Sequence, residues 1–345
     1  MLPLLAVPAG LAGRVLSQVS GGPFAGLGAA GRAVKPAPGA DGHGARGIGA
    51  ARHARPARIL SKGAVTLPPK LVAVSLAVAA GAAGGTFAIA HAHRPPATVS
   101  SERKGVSVWS FNGAGQALAE SGASWYYNWA ATSNGITGPA GVGFVPMIWG
   151  AANVTSTTLS QVKQEGNVLL GFNEPDMGGQ ANMTPAQALD RWPQLMATGM
   201  TLGSPAVASG AATPGGWLDQ FIAGAKTRGY RVDFITVHWY GGDFATGSAV
   251  QELESYLQSI YARYHLPIWV TEFALTNFGG GTATFPTETQ QAAFLTAATK
   301  MLDGLSYVQR YAWFALPTSS GSGTTGLFDP GPSVTPVGRA FESAR

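Results

Sequence analysis

The sequence predicts a (β/α)8 barrel, an α/β fold of the TIM type, behind an N-terminal segment that takes no part in it. Three observations carry that expectation. From Lys104 onward, eight short β-rich apolar runs follow one another, mostly separated by stretches with helical apolar spacing. They occupy about 240 residues, the usual size of a barrel domain. Two of the runs carry a glutamate at or near their C-terminal ends, where the chemistry of a barrel sits. An open doubly wound sheet is the structural rival, but no G-x-G-x-x-G follows the first run to favour it.

The elements follow in chain order. Val106–Phe111 (VSVWSF) reads as the first strand, and a short helical piece runs from Gly115 to Glu120. Ser124–Trp129 (SWYYNW) is the second strand. The ATSNGITGPAG that follows has no helical pattern and is expected to be a loop. Gly143–Trp149 is the third strand, and a helix over Leu159–Glu165 leads to the fourth at Val168. Thr184-Pro185 caps and opens a helix with apolar Ala188, Leu189, Trp192, Leu195 and Met196, and Pro193 is expected to bend it. Leu202–Ser209 is the fifth strand, followed by a helix marked by Trp217, Leu218, Phe221, Ile222 and Ala225. Val232–Tyr240 is the sixth. Val250, Leu253, Leu257, Ile260 and Tyr264 then line one helix face before the seventh strand, Ile268–Phe273. Thr287-x-x-Gln290 is a capping box for a helix ending near Leu302, and Val308–Leu316 is the eighth strand.

Charge separates the leader from the body. The chain has 345 residues, no cysteine, 48 glycines and a net charge of +5. Ten of its 22 Lys/Arg lie in residues 1–100 against Asp41 alone, leaving twelve basic and sixteen acidic side chains in the rest. The body therefore has no basic face for nucleic acid. All nine tryptophans also fall after residue 100. Residues 1–70 read as a basic low-complexity leader, disordered or the product of a start assigned too early, with Val65 a candidate initiator. Residues 71–92 combine a basic flank, an apolar run and the A-x-A of Ala90-His91-Ala92, as in a secretory signal peptide; a retained membrane anchor is the alternative. Residues 93–103 form a linker and 104–345 the catalytic domain. Secretion is the expected localisation, or an extracytoplasmic position if the anchor stays.

Candidate chemistry centres on the two glutamates. In NVLLGFNEPD an apolar strand breaks at Asn173-Glu174-Pro175, because a residue before proline is pushed out of helical geometry and proline ends a ladder. Ile268-Trp269-Val270-Thr271-Glu272-Phe273 has the same construction. A single Asn-Glu-Pro is more often a plain turn, but two glutamates at strand ends are the minimum for cleaving a glycosidic bond. Near them, candidate substrate contacts are Asn173, His238, Trp239, Tyr240, Asn128, Trp129, Trp149 and Trp313, the rings at strand ends serving equally for packing or for stacking sugars. Of six histidines only His238 and His265 lie in the body, and neither has metal-ligand spacing. No G-x-S-x-G elbow is present either. No cofactor or metal is expected.

The segments G-F-N-E-P-D and W-V-T-E-F-A, with the later G-L-F-D-P and T-P-x-G-R-A-F, resemble glycoside hydrolase family 128, a clan A group of β-1,3-glucanases, over Lys104 to Phe341. The resemblance implies a retaining two-glutamate mechanism on a (β/α)8 barrel, with Glu174 as acid/base and Glu272 as nucleophile. It also implies that Asn173 meets the sugar 2-hydroxyl and that His238 and Tyr240 line the central subsite. The expected partner is a β-glucan, cut in an endo manner by a monomer. The alternatives are a wall-associated carbohydrate-binding protein on an inactive barrel, or a hydrolase of a different β-linked glycan.

Overall fold

The computed structural model describes residues 102–280, 282–318 and 323–344. The leader of residues 1–70 and the apolar segment of residues 71–92 lie outside the described residues. Among the described residues no helix is long and apolar enough to cross a membrane.

Eight parallel strands line the barrel: β1 (Lys104–Ser107), β2 (Trp125–Tyr127), β3 (Gly143–Phe144), β4 (Val168–Leu169), β5 (Thr201–Leu202), β6 (Ile235–Gly241), β7 (Ile268–Leu275) and β8 (Val308–Trp313). Six form one sheet in the order β3-β2-β1-β8-β7-β6, and β4 pairs with β5. Isolated parallel bridges join the two groups. Met147 with Leu170 links the third stave to the fourth, and Gly203 with Phe234 and Val207 with Val237 link the fifth to the sixth. The ring thus closes in sequence order, which an open doubly wound sheet does not do.

The connections carry the helices α1 (Ala114–Ser121), α2 (Ser156–Glu165), α3 (Pro185–Met196), α4 (Trp217–Thr227), α5 (Thr246–Tyr264) and α6 (Glu288–Gly304). Thr184 with Gln187 and Thr287 with Gln290 form reciprocal capping boxes, satisfying N–H groups that the first turn leaves open. Pro193 lies inside α3, which continues to Met196. Between β2 and β3 there is a loop, held where the Tyr126 hydroxyl donates to the Ile136 carbonyl at 2.6 Å. After β8 come two elements that the sequence reading did not resolve: a hairpin of β9 (Phe328–Asp329) and β10 (Ser333–Val334), and α7 (Pro336–Ser343), capped by Thr335.

Two apolar layers hold the wall. Outside it, strand residues such as Leu169, Phe172, Val237, Val270 and Trp313 pack against helix residues such as Trp192, Phe221 and Phe294. Inside, Trp125, Tyr127, Leu170, Phe234 and Trp269 fill the barrel. Each fully buried large apolar side chain stabilises by about 1.5–3 kcal/mol relative to exposure. At the N-terminal end Phe234 stacks on Trp269 at 4.4 Å, and the Arg310 guanidinium lies 4.5 Å from the Trp269 ring centroid and 5.7 Å from that of Trp125. A Cβ on Gly105 would sit 2.2 Å from the Trp125 ring, so glycine there lets the indole close the barrel floor.

Candidate active site

Glu272 faces the barrel interior because β7 breaks its alternation. Trp269 points inward while Ile268 and Val270 pack outward, so a regular strand would turn Glu272 toward the helices. The register against β6 shifts there: Val237 pairs with Val270, but the next residue, His238, pairs with Glu272. Thr271 is the extra residue of a bulge, and it swings Glu272 inside. The fourth stave turns over in a similar way. Leu170 lies in the inner cluster while Phe172, two residues on, packs against Trp192 outside. The change falls at Gly171, where a Cβ would come within 2.9 Å of the Gly203 carbonyl. Asn173 and Glu174 are then delivered to the C-terminal end, with Glu174 in the left-handed region at φ 41. A non-glycine residue held there costs about 1–3 kcal/mol, a strain typical of functional sites.

The two carboxylates and His238 form a buried cluster. One oxygen of Glu174, one oxygen of Glu272 and one ring nitrogen of His238 all lie within 4.8 Å of one another. His238 Nδ1 is 2.9 Å from Glu174 Oε1, and its Nε2 approaches Glu272 Oε1 to 3.5 Å. Three donors converge on Glu272: Trp129 Nε1–H reaches Oε1 at 2.8 Å, the Tyr240 hydroxyl reaches Oε2 at 2.5 Å, and the Tyr127 hydroxyl shares its proton between Oε1 at 3.1 Å and the Thr271 carbonyl at 3.0 Å. Glu272 is thereby arranged as an acceptor at both oxygens. Glu174 differs, since its Oε2 is buried without a hydrogen-bond partner.

Burial raises the Glu174 carboxyl above its ordinary value; the His238 hydrogen bond and charge oppose this, and the charges of Glu272 and Asp176 add to the rise. For His238, burial alone lowers the imidazole value, but the charges of Glu272 and Glu174 and the Glu174 hydrogen bond prevail and raise it. The two shifts differ in cause: burial comes first for Glu174, and the neighbouring carboxylates overcome burial for His238. Tyr127 and Tyr240 are pushed well above the ordinary phenol value, first by burial and then by the Glu272 charge, so they stay donors.

The structure brings some of the candidate contacts together and not others. His238, Tyr240 and Trp129 meet at the two glutamates, Asn173 directly precedes Glu174 and is bound to Gln180, and Trp149 packs against the inner cluster. Trp239 and Trp313 do not join them. Strand alternation turns both outward, where Trp239 stacks on Phe294 at 5.6 Å and Trp313 packs on Phe273 at 5.0 Å and donates to the Thr325 carbonyl. Asn128 is likewise spent on its own loop, donating to the Thr132 carbonyl and accepting from Ala130 N–H.

Tyr127 was missed, although it shares its strand face with Trp129 at i+2. Gln180, whose Oε1 accepts from Asn173 Nδ2 at 3.2 Å, carried no signal in the sequence. Trp109, 6.2 Å from Trp129, and Phe314, 5.6 Å from Tyr240, complete an aromatic wall. The cluster has the donor types of a cation site, and within it Glu272 already accepts from side-chain N–H and O–H groups at both of its oxygens.

The model of the glycosyl hydrolase catalytic core family matches residues 106–341. An endo-β-1,3-glucanase of glycoside hydrolase family 128, subgroup I, from Amycolatopsis mediterranei, solved with laminaritriose, is 55% identical; the match covers 71% of this chain and 100% of that one, with a TM-score of 0.69. A subgroup II endo-β-1,3-glucanase from Sorangium cellulosum is 29% identical over 70% of this chain and 98% of its own, with a TM-score of 0.60. Alkali-sensitive linkage protein 1 of Schizosaccharomyces pombe is 34% identical over 209 residues, 59% of this chain; the matched region spans 36% of that curated relative.

Proposed function

The chain belongs to the glycosyl hydrolase catalytic core family, within glycoside hydrolase family 128, and from that premise we propose that it is a retaining endo-β-1,3-glucanase. The observation that carries the reading is the buried pair of glutamates, one beyond the end of the fourth stave and one in the C-terminal half of the seventh, with oxygens within 4.8 Å. That separation suits direct attack by one carboxylate better than the roughly 6.5–9.5 Å that leaves room for water in inverting enzymes. The two endo-acting glucanases of family 128 described above support the substrate and the mode of cleavage.

In this mechanism Glu272 attacks the anomeric carbon. Tyr127, Trp129 and Tyr240 aim its carboxylate and keep it from rotating. Glu174, protonated because burial favours its neutral form, donates to the leaving oxygen; its unpartnered Oε2 is the oxygen free to carry that proton, since Oε1 is held by His238. Forming the glycosyl ester removes the Glu272 charge that helps hold the proton in the cluster. Glu174 then ionises more readily and activates water for the second displacement. Asn173 meets the 2-hydroxyl, a contact that strengthens as oxocarbenium character develops. The half-buried Trp109 and Trp149 supply faces against which glucose rings stack, backed by the buried Trp129 and Phe314.

The enzyme acts outside the cytoplasm, exported through residues 71–92 or tethered by them. The basic-apolar-A-x-A pattern supports export, and so does a substrate too large to enter a cell. Reducing-sugar release from linear β-1,3-glucan, β-1,4-glucan and β-1,4-mannan, with Glu272→Gln as the blank, tests the activity. Release from the β-1,3-glucan alone, as a ladder of oligosaccharides and absent in the variant, is the expected result. Retention of a glucan on an affinity gel with no cleavage would instead make the protein a carbohydrate-binding barrel.

A further inference from the structure

We infer that Gln180 is a positioning residue for the reaction: it fixes the Asn173 amide so that the carbonyl oxygen, not the NH2, faces the substrate. This rests on the glycosidase reading above and deepens it. Asn173 is 1% exposed, so its amide has no solvent to turn to, and Gln180 is 8% exposed. Asn173 Nδ2 donates to Gln180 Oε1 at 3.2 Å, which leaves Asn173 Oδ1 buried without a partner. An orphaned buried acceptor is destabilising, and an amide free to rotate would be under little constraint to keep it that way. With its Oε1 turned to Asn173, Gln180 presents an acceptor that only the NH2 end of Asn173 can satisfy.

The backbone holds this pair in place from both sides. Asn173 N–H donates to the Trp149 carbonyl, its carbonyl accepts from Ala181, and Gln180 N–H donates to the Met177 carbonyl, so the turn after Glu174 folds back on the strand that carries it. Glu174 also carries an unpartnered oxygen, Oε2, so neighbouring residues present two open acceptors at the catalytic end. A sugar hydroxyl donates to the first. A glycosidic oxygen, which brings no proton, receives one from the second once Glu174 is protonated.

The test uses an aryl β-laminaritrioside and its counterpart lacking the 2-hydroxyl on the ring that bears the aryl group. Gln180→Met keeps length and burial but removes the acceptor; Gln180→Glu keeps an acceptor. The expected result is that Gln180→Met lowers kcat on the hydroxylated substrate about 10- to 100-fold while changing the deoxy substrate little. Gln180→Glu should restore most of the loss, and the thermal midpoints should stay close to wild type. Equal losses on both substrates, or the full wild-type preference retained in Gln180→Met, overturns the inference alone. Wild-type enzyme that hydrolyses neither substrate overturns the glycosidase reading, and this inference with it.

Discussion

The two ends of the barrel interior are built on opposite terms. At the floor, Trp125, Phe234, Trp269 and Arg310 interlock, the Trp125 indole donates to the Arg103 carbonyl, and that of Trp269 donates to Gln309. At the mouth, Asn173 Oδ1 and Glu174 Oε2 are buried with no hydrogen-bond partner, His238 Nε2 has only the 3.5 Å approach to Glu272, and Glu174 and Trp129 occupy left-handed backbone. The floor spends its interactions on itself, while the mouth keeps strain and open polar atoms in reserve for a ligand. Stability and chemistry are therefore separable by position, and substitutions at the two ends should fail in different ways.

The sharpest contrast comes from the glutamates. Glu272→Gln should lower kcat by several orders of magnitude, and Glu174→Gln by about 10²- to 10⁴-fold. Steady-state kinetics on β-1,3-glucan beside thermal melts would show the loss of rate without loss of fold. At the other end, Trp269→Ala should lower stability by about 3–5 kcal/mol, measured by denaturant unfolding, while the folded protein keeps a near-normal kcat. A mouth substitution that unfolds the protein, or a floor substitution that abolishes turnover in a folded chain, breaks the comparison. Tyr240→Phe should do less than the glutamate changes. It removes one hydrogen bond to a charged group, worth about 1.5–3 kcal/mol, and so lowers kcat about 10- to 100-fold.

The smallest effect is on pH-dependent stability. Glu174 and His238 both have raised values in the folded protein, so folding takes up protons at both. Their stabilising contribution is complete below the ordinary values of 4.5 and 6.5 and is lost as pH rises through the raised ones. Glu174→Gln mimics the protonated side chain, so its thermal midpoint should gain on wild type as pH increases. A gap that narrows with pH contradicts the assignment of the extra proton to this cluster.

The barrel was legible in the sequence because its eight apolar runs and their capping signals are local. The ring closure was not, since the third, fourth and fifth staves carry only two residues of regular pairing each and close through isolated bridges. The hairpin and helix after β8 left two short signals, the Pro330-Gly331 turn between β9 and β10 and Thr335-Pro336 at the start of α7. At the site, Glu174 and Glu272 stood out as carboxylates at strand ends, but alternation from Trp269 points Glu272 the wrong way, and only the bulge at Thr271 corrects it. Alternation would have helped elsewhere: Trp239, next to inward His238, must face the helices, and Tyr127 must share the face of Trp129. Gln180 reaches Asn173 through a turn whose path no periodicity describes.

The central claim is that Glu272 forms the covalent bond to the sugar. Incubation with a 2-deoxy-2-fluoro laminaribiosyl donor bearing a good leaving group, followed by proteolysis and mass spectrometry, tests it most directly. The account predicts a glycosyl adduct on the peptide at Glu272, absent from Glu272→Gln. An adduct on Glu174, or products released with inverted anomeric configuration and no adduct, would contradict it.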